Sequence, residues 1–383
     1  MVELLGRVAR EGLHRTVWYP AYAVKPEHSG SASIDNEESN VDFGLFFYCQ
    51  GRGVPDDQAY AETLEQIVLA ERLGFRECWF AEHHFTDYSV LPSPNLMIAA
   101  TLQRTERMRF GNYINILAFH NPMRLAAEAA MLDNLARGRY DFGIGKGVRP
   151  GEFAKFGVNF DDAVAMTEEA TEILLKAWTQ ETCSHDGMFW KFPELSLRPR
   201  VYQRPHPPLH SVASRPVSVE RIGARGWSVA MHFTPTDVVA ECVQLYHGAL
   251  AGCATPLGEG PYRPRFALCR ETFVAATPEQ ARAEGALALQ GFWYLSSLAA
   301  PPLPQEYSDV HLKELTTRVW GGCTYDELQD RGGMLIGSPE QIAERVAELE
   351  AIGVDTLLLV ASFGNLTHEQ VCRSLELFAT AVM

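Results

Sequence analysis

The strongest constraint on the fold is an alternation that begins near residue 41. Short apolar, strand-like runs (41–47, 77–80, 108–117, 139–145, 209–213, 227–233, 265–275 and 354–360) take turns with segments of helical spacing. In 57–73, Leu64, Ile67, Val68 and Leu73 recur at helical intervals, and Gly74 supplies a stop. Alternation of this kind predicts an all-parallel sheet covered on both faces. Eight strand-helix units suit a closed (β/α)8 TIM barrel better than an open sheet. Three regions break the rhythm. Residues 1–40 read as an N-terminal extension and linker, ending in the polar stretch 28–40, so the barrel is expected over 41–383. Residues 181–207, rich in proline, suggest an inserted hairpin and loop, and 300–333 an irregular insertion.

Composition removes several classes of function. A net charge of −15 argues against nucleic acid as the main partner, because phosphate binding needs a basic face. No stretch has the ~18 or more uninterrupted apolar residues of a membrane span. The first residues show no signal-peptide pattern. The 8 cysteines are scattered without a Cys-x-x-Cys pair, which suits reduced thiols and a cytoplasmic setting.

Three stretches fall at expected strand ends, and so at one mouth of a barrel. The first is Glu82-His83-His84, where a carboxylate and two imidazoles follow an apolar run. Histidine moves protons near neutral pH, and ligands bind outside the carboxyl ends of barrel strands. For an isolated pair, the plainer reading, a loop cap and a packed ring, would win. A shared metal is disfavoured, since adjacent strand residues point to opposite faces and no His-x-His or His-x-x-x-His occurs. The second stretch runs from Gly143 to Phe153 and lacks the spacing of a nucleotide P-loop. Gly145 and Gly147 would let backbone approach a flat ligand, and Lys146 could meet an anion; a tight turn with a solvated lysine weighs about equally. The third is Ser214-Arg215-Pro216-Val217-Ser218 at a helix start, an anion site by its free N–H groups, hydroxyls and charge. Simple N-capping by Ser214 is the plainer alternative.

Taken together, 43–46, 81–85, 121–126, 132–133, 138–145 and 337–340 resemble the bacterial luciferase-like flavin monooxygenases, in order and spacing, over about 41–383. That resemblance implies a barrel that binds FMN as FMNH2 at its mouth. Oxygen adds to the flavin C4a, and the resulting peroxide oxidises an aldehyde, ketone, alkane or aromatic substrate. A separate flavin reductase usually supplies FMNH2, and a homodimer is expected.

By the same resemblance His83 is the catalytic base, with Glu82 and His84 orienting it or lining the flavin site. Lys146 falls near the phosphate and Glu152 near the flavin ring edge. Ser214 and Ser218 match phosphate-binding hydroxyls, with Arg215 beside them. Tyr113–Ile114 aligns with a non-prolyl cis peptide. Two departures matter. Gly145 replaces a cysteine of luciferase itself, which disfavours light emission. Ala163-Val164 replaces a Ser-Arg pair whose arginine contacts phosphate, which gives weight to a deazaflavin-dependent hydride-transfer enzyme on the same fold. A non-catalytic partner subunit is the third alternative, and Glu82-His83-His84 argues against it. Phe47, Tyr48, Phe119, Trp190, Met231 and Phe233 are candidates for an apolar pocket, and 181–207 and 300–333 for lids.

Overall fold

The structure, a computed structural model, describes residues 41–253, 263–298 and 302–383. The expected extension, residues 1–40, lies outside them. Among the described residues, eight parallel strands close into a barrel: β1 (Asp42–Phe47), β2 (Glu77–Phe80), β3 (Arg109–Asn112), β4 (Tyr140–Gly145), β5 (Leu209–Ala213), β6 (Ser228–Met231), β7 (Phe266–Val274) and β8 (Thr356–Val360). Closure is explicit in the register. Strand β7 pairs with β6 (Ala267 beside Ala230) and with β8 (Ala267 beside Thr356), and β8 pairs with β1 (Leu357 beside Phe43).

Helices fill the connections: α1 (Asp56–Leu73), α2 (Pro94–Leu102), α3 (Pro122–Ala136), α4 (Pro150–Phe156), α5 (Ala163–Thr179), α6 (Pro216–Ala224), α7 (Thr236–Ala251), α8 (Pro278–Ser296), α9 (Asp309–Trp320), α10 (Tyr325–Asp330), α11 (Pro339–Ala351) and α12 (His368–Val382). Local chemistry sets many of their ends. Asn121 accepts from the N–H groups of Met123 and Arg124, both at 3.1 Å, with Pro122 in the first turn of α3. Ser338 with Gln341, and Thr367 with Gln370, form capping boxes on α11 and α12. Gly74 ends α1 at φ 103°, a conformation that favours glycine.

The strands are almost wholly buried, and Phe46, Phe80, Phe110, Phe142, Met231, Leu268 and Leu358 belong to one core. Each such side chain contributes roughly 1.5–3 kcal/mol of burial. The two ends of the barrel differ in chemistry. At the N-terminal ends of the strands, Arg265 meets Asp42 at 3.0 Å and Glu77 at 3.1 Å, and Arg109 meets Asp141. At the C-terminal ends stand Tyr48, His83, Tyr113, Lys146, Ser214 and His232, which makes that end the place for a site.

Some expectations change. The strand expected over 108–117 is two pieces, β3 and a short Asn115–Ile116 strand beside β4, with a cis Tyr113–Ile114 bond between them. Of the stretch expected to be irregular, 300–333, the described residues 302–333 contain α9 and α10, with Ser308 and Thr324 as side-chain caps. Residues 150–156, for which no element is expected, form α4. The 181–207 region does contain an antiparallel hairpin, Cys183–Asp186 with Lys191–Leu195. Its tip is tied to α5, because Glu169 accepts from the N–H of Met188 (3.1 Å) and Trp190 (2.9 Å) and from His185 (3.1 Å). Among the described residues no helix is long and apolar enough to cross a membrane, and no side-chain cluster could hold a metal ion.

Candidate active site

Strand β2 ends at Phe80, and the next four residues turn across the barrel mouth. Their side chains divide between two networks because successive residues in an extended chain face opposite ways. His83 Nδ1 donates to Glu152 Oε1 at 3.0 Å, and the same carboxylate oxygen accepts from the His84 N–H at 3.1 Å. Glu82 turns the other way. Its Oε1 accepts from His84 Nε2 and His120 Nε2, both at 3.0 Å, and its Oε2 from the Ile116 N–H at 2.9 Å. The expected orientation of His83 by Glu82 and His84 is therefore corrected. Glu152 on α4 holds His83, whereas Glu82 and His84 pin the loop to the segment after Asn115.

Electrostatics follow from this wiring. Burial lowers the His83 pKa below the ordinary imidazole value, and Glu152 only partly offsets it. His83 is therefore neutral near pH 7, and since Nδ1 carries the donated proton, Nε2 holds the lone pair. Burial acts against ionised Glu82, but hydrogen bonds from His120 and His84 outweigh it and keep its pKa low. Burial would lower His120, yet its bond to Glu82 raises it. Glu152 is held low mainly by His83, against its own burial.

A cavity of about 660 Å³ opens at this mouth. Phe46, Tyr48, His83, Tyr113, Ile114, Phe233 and Trp293 line it, with Gly145, Lys146, Arg149, Ser214, Arg215 and Ser218. The three stretches singled out in the sequence thus meet in one chamber. At its α6 end, Arg215 is the N-cap residue and no side chain caps the helix. Ser214 is not spent as a cap, so the plainer reading of that serine does not hold. The uncapped N-terminus, two hydroxyls and a guanidinium make a donor set suited to a phosphate. Arg221, Arg225 and Arg318 also reach the cavity wall, concentrating positive charge in an acidic chain.

Other expected positions move. Space above Gly145 is taken by Ile114: a Cβ there would lie 1.9 Å from Ile114 Cδ1, so this glycine admits a side chain rather than a ligand. Glu152 stands behind His83 and is not among the cavity-lining residues, which removes it from the flavin edge. Lys146 lines the cavity but also sits 4.9 Å over the Phe160 ring. Of the aromatic candidates, Tyr48 and Phe233 line the chamber. Phe47 and Met231 belong to the barrel core, Phe119 packs on Phe153 and Phe156, and Trp190 belongs to the hairpin. No described residue of 181–207 lines the cavity, so the hairpin is not its lid, while α9 contributes Arg318 and Val319.

A sequence profile described as luciferase-like monooxygenase matches residues 41–356. The chain belongs to the luciferase-like monooxygenase family. It is similar to the oxygenase component of the flavin-dependent trigonelline monooxygenase of Acinetobacter baylyi, 27% identical across 85% of this chain and 89% of that one. Among solved structures, the monooxygenase RslO1 of Streptomyces bottropensis superposes with TM-score 0.75 at 25% identity, over 89% of this chain and 98% of that one. The oxygenating constituent of 3,6-diketocamphane monooxygenase of Pseudomonas putida, in complex with FMN, gives 0.71 at 22%, over 89% and 97%. An F420-dependent secondary alcohol dehydrogenase shares the fold at 0.67 and 16%, over 89% and 98%.

In this luciferase-like monooxygenase several pairings at the site escaped the sequence reading. Tyr48 donates its hydroxyl proton to His232 Nδ1 at 3.1 Å, and His232 Nε2 donates to Glu271 at 3.1 Å. Arg149 lies 4.3 Å over the Tyr88 ring. His232 lies inside the strand expected over 227–233, and because that strand ends at Met231 the residue stands just past its end, a position like that of His83. Glu271 lies within a strand and Arg318 in a region read as irregular, and neither gave a signal.

Proposed function

We propose that the chain is an FMNH2- and O2-dependent monooxygenase that places one oxygen atom into an organic substrate held beside His83. The observation that carries this reading is the convergence, in one cavity of about 660 Å³, of His83 with Ser214, Arg215 and Ser218 at the uncapped start of α6. These residues fit the cofactor: the two hydroxyls, Arg215 and the helix N–H groups would hold the phosphate, and Tyr113 and Ile114 would wall the ring system. When bound as FMNH2, the flavin would supply the electrons that activate oxygen.

The chain's own groups do the rest. Neutral His83, oriented by Glu152, accepts a proton through Nε2. Glu82, with His84 and His120, fixes the loop that carries His83. Phe46, Phe233 and Trp293 exclude water and suit an apolar or aromatic substrate. A separate reductase would deliver FMNH2, as the term "oxygenase component" in the name of the trigonelline relative supports.

The test is oxygen uptake by the protein supplied with a reductase, FMN and candidate substrates, with mass spectrometry for products heavier by one oxygen atom. His83→Ala should lower turnover by about 10²–10⁴-fold, the usual worth of a general base, while FMN binding stays within a few-fold. Normal turnover in that variant would remove His83 from the role. The absence of the Ser-Arg pair at Ala163-Val164, with Val164 on the cavity wall, favours a second reading: hydride transfer with a deazaflavin. Fluorescence titration with FMN and with deazaflavin separates the two. Tight deazaflavin binding without oxygen consumption would establish the second and end the first.

A further inference from the structure

Beside His83–Glu152, which the proposed reaction uses, and Glu82 with its two imidazoles, which fix the loop, the cavity has a further imidazole–carboxylate pair. This pair, His232–Glu271, is buried, with side chains 5% and 2% exposed, and His232 lines the cavity beside Tyr48. The Tyr48 ring lies near both the His83 and His232 imidazoles, its centroid 6.2 Å from His83 with planes 18° apart and 6.1 Å from His232 with planes 29° apart. With Glu271 Oε1 as the acceptor, His232 carries its proton on Nε2. His232 Nδ1 then has the lone pair that takes the Tyr48 proton at 3.1 Å. Burial keeps Tyr48 protonated on its own, so its oxygen gains basicity only by passing a proton inward.

We propose that Tyr48, His232 and Glu271 form a relay that removes the hydroxyl proton of a phenol- or enol-type substrate. The substrate O–H bond breaks as a new O–H bond forms on the Tyr48 oxygen. The proton that Tyr48 held moves to His232 Nδ1, giving an imidazolium beside the Glu271 carboxylate. No electron changes hands, so no oxidant enters this step. The aromatic wall of Phe46, Tyr113, Phe233 and Trp293 suits a flat ring. Arg149, against Tyr88 on the same wall, offers positive charge to the resulting anion. The inference deepens the oxygenation reading and rests on it: an ionised phenol or enol is electron-rich and a better target for an electrophilic oxygen. A purely structural role is a costly alternative, since three polar groups give up water where apolar side chains would pack.

The experiment uses the flavin-free full chain and 4-nitrophenol, whose phenolate absorbs in the visible, at a pH where the free compound is mostly neutral. The phenolate band should grow on binding to wild type and to His83→Ala. Tyr48→Phe and His232→Gln should bind the probe, as followed by calorimetry, with the phenolate-to-phenol ratio lowered at least about tenfold, one pK unit. Circular dichroism checks the fold of each. Should His232→Gln not fold, Tyr48→Phe, which removes a single oxygen, decides alone. Wild type that fails to bind the probe, or binds it without the band, overturns the relay. So does a band that survives in Tyr48→Phe or is lost only in His83→Ala. The band needs no flavin, so missing oxygen uptake with an intact band sinks the oxygenase reading alone, and the converse sinks the relay alone.

Discussion

His83 illustrates how one residue's environment sets a measurable profile. Burial lowers its pKa below the ordinary ~6.5, against the pull of Glu152. A base works in its neutral form, so activity should persist as pH falls through ~6.5 and decline only below it. Replacing Glu152 by Gln removes the charge that raises His83. The acid limb of kcat/KM should then move to still lower pH, while the plateau drops by about 10–100-fold from lost orientation, the scale of supporting partners. An acid limb that stays put or moves upward would show that Glu152 does not act through His83. Gly145 offers a second residue-scale case. Gly145→Ala places a methyl 1.9 Å from Ile114 Cδ1, and overpacking of this kind costs about 1–3 kcal/mol. Pairing it with Ile114→Val, which removes that Cδ1, should recover much of the loss. A double-mutant cycle by urea unfolding that finds simple additivity would refute this contact.

At the scale of elements, the tip of the hairpin after α5 is tied down by the Glu169 side chain. Glu169 accepts from three consecutive N–H groups, those of Met188, Phe189 and Trp190, and from His185. Glu169→Ala leaves those donors to water and should loosen the tip by about 1–3 kcal/mol. Limited proteolysis near 187–190 should quicken, whereas oxygen uptake should stay within a few-fold, because the hairpin does not line the cavity. Loss of uptake would mean that the hairpin does act on the site. The same elements explain what could be read in advance. The hairpin was legible because Gly187 and the prolines around it punctuate locally. Helices α9 and α10 were not: their caps at Ser308 and Thr324 follow a stretch whose prolines suggested loop. Strand ends marked His83, Lys146 and Ser214 as site candidates. The partners remained hidden, because Glu152 is 69 residues from His83 and His232 is 184 from Tyr48, and nothing local ties such pairs together.

For the barrel as a whole, the proposed site and the ionic cluster of Asp42, Glu77 and Arg265 occupy opposite ends, and their independence can be tested. The alternation of strands and helices made the architecture readable, but the ionic cluster at the N-terminal ends of the strands was not, since Asp42, Glu77 and Arg265 meet only on closure. Glu77 is buried, and burial raises its pKa despite Arg265. Arg265→Met takes away the charge that opposes this shift and leaves a buried carboxylate without it. Breaking a buried pair in this way costs about 3–5 kcal/mol. The sign of the pH dependence follows. A carboxyl whose folded pKa exceeds its unfolded value destabilises the fold most when ionised, above the folded pKa, and ceases to do so below the unfolded one. The deficit of Arg265→Met should therefore be largest at neutral pH and shrink as pH falls through the raised Glu77 pKa, and adding Glu77→Gln should remove most of that pH dependence. Urea unfolding against pH measures this directly. Because the cluster lies at the far end from His83, folded Arg265→Met should keep kcat within a few-fold of wild type. A deficit that grows toward acid, or a folded variant without turnover, would mean that the two ends of the barrel are not independent.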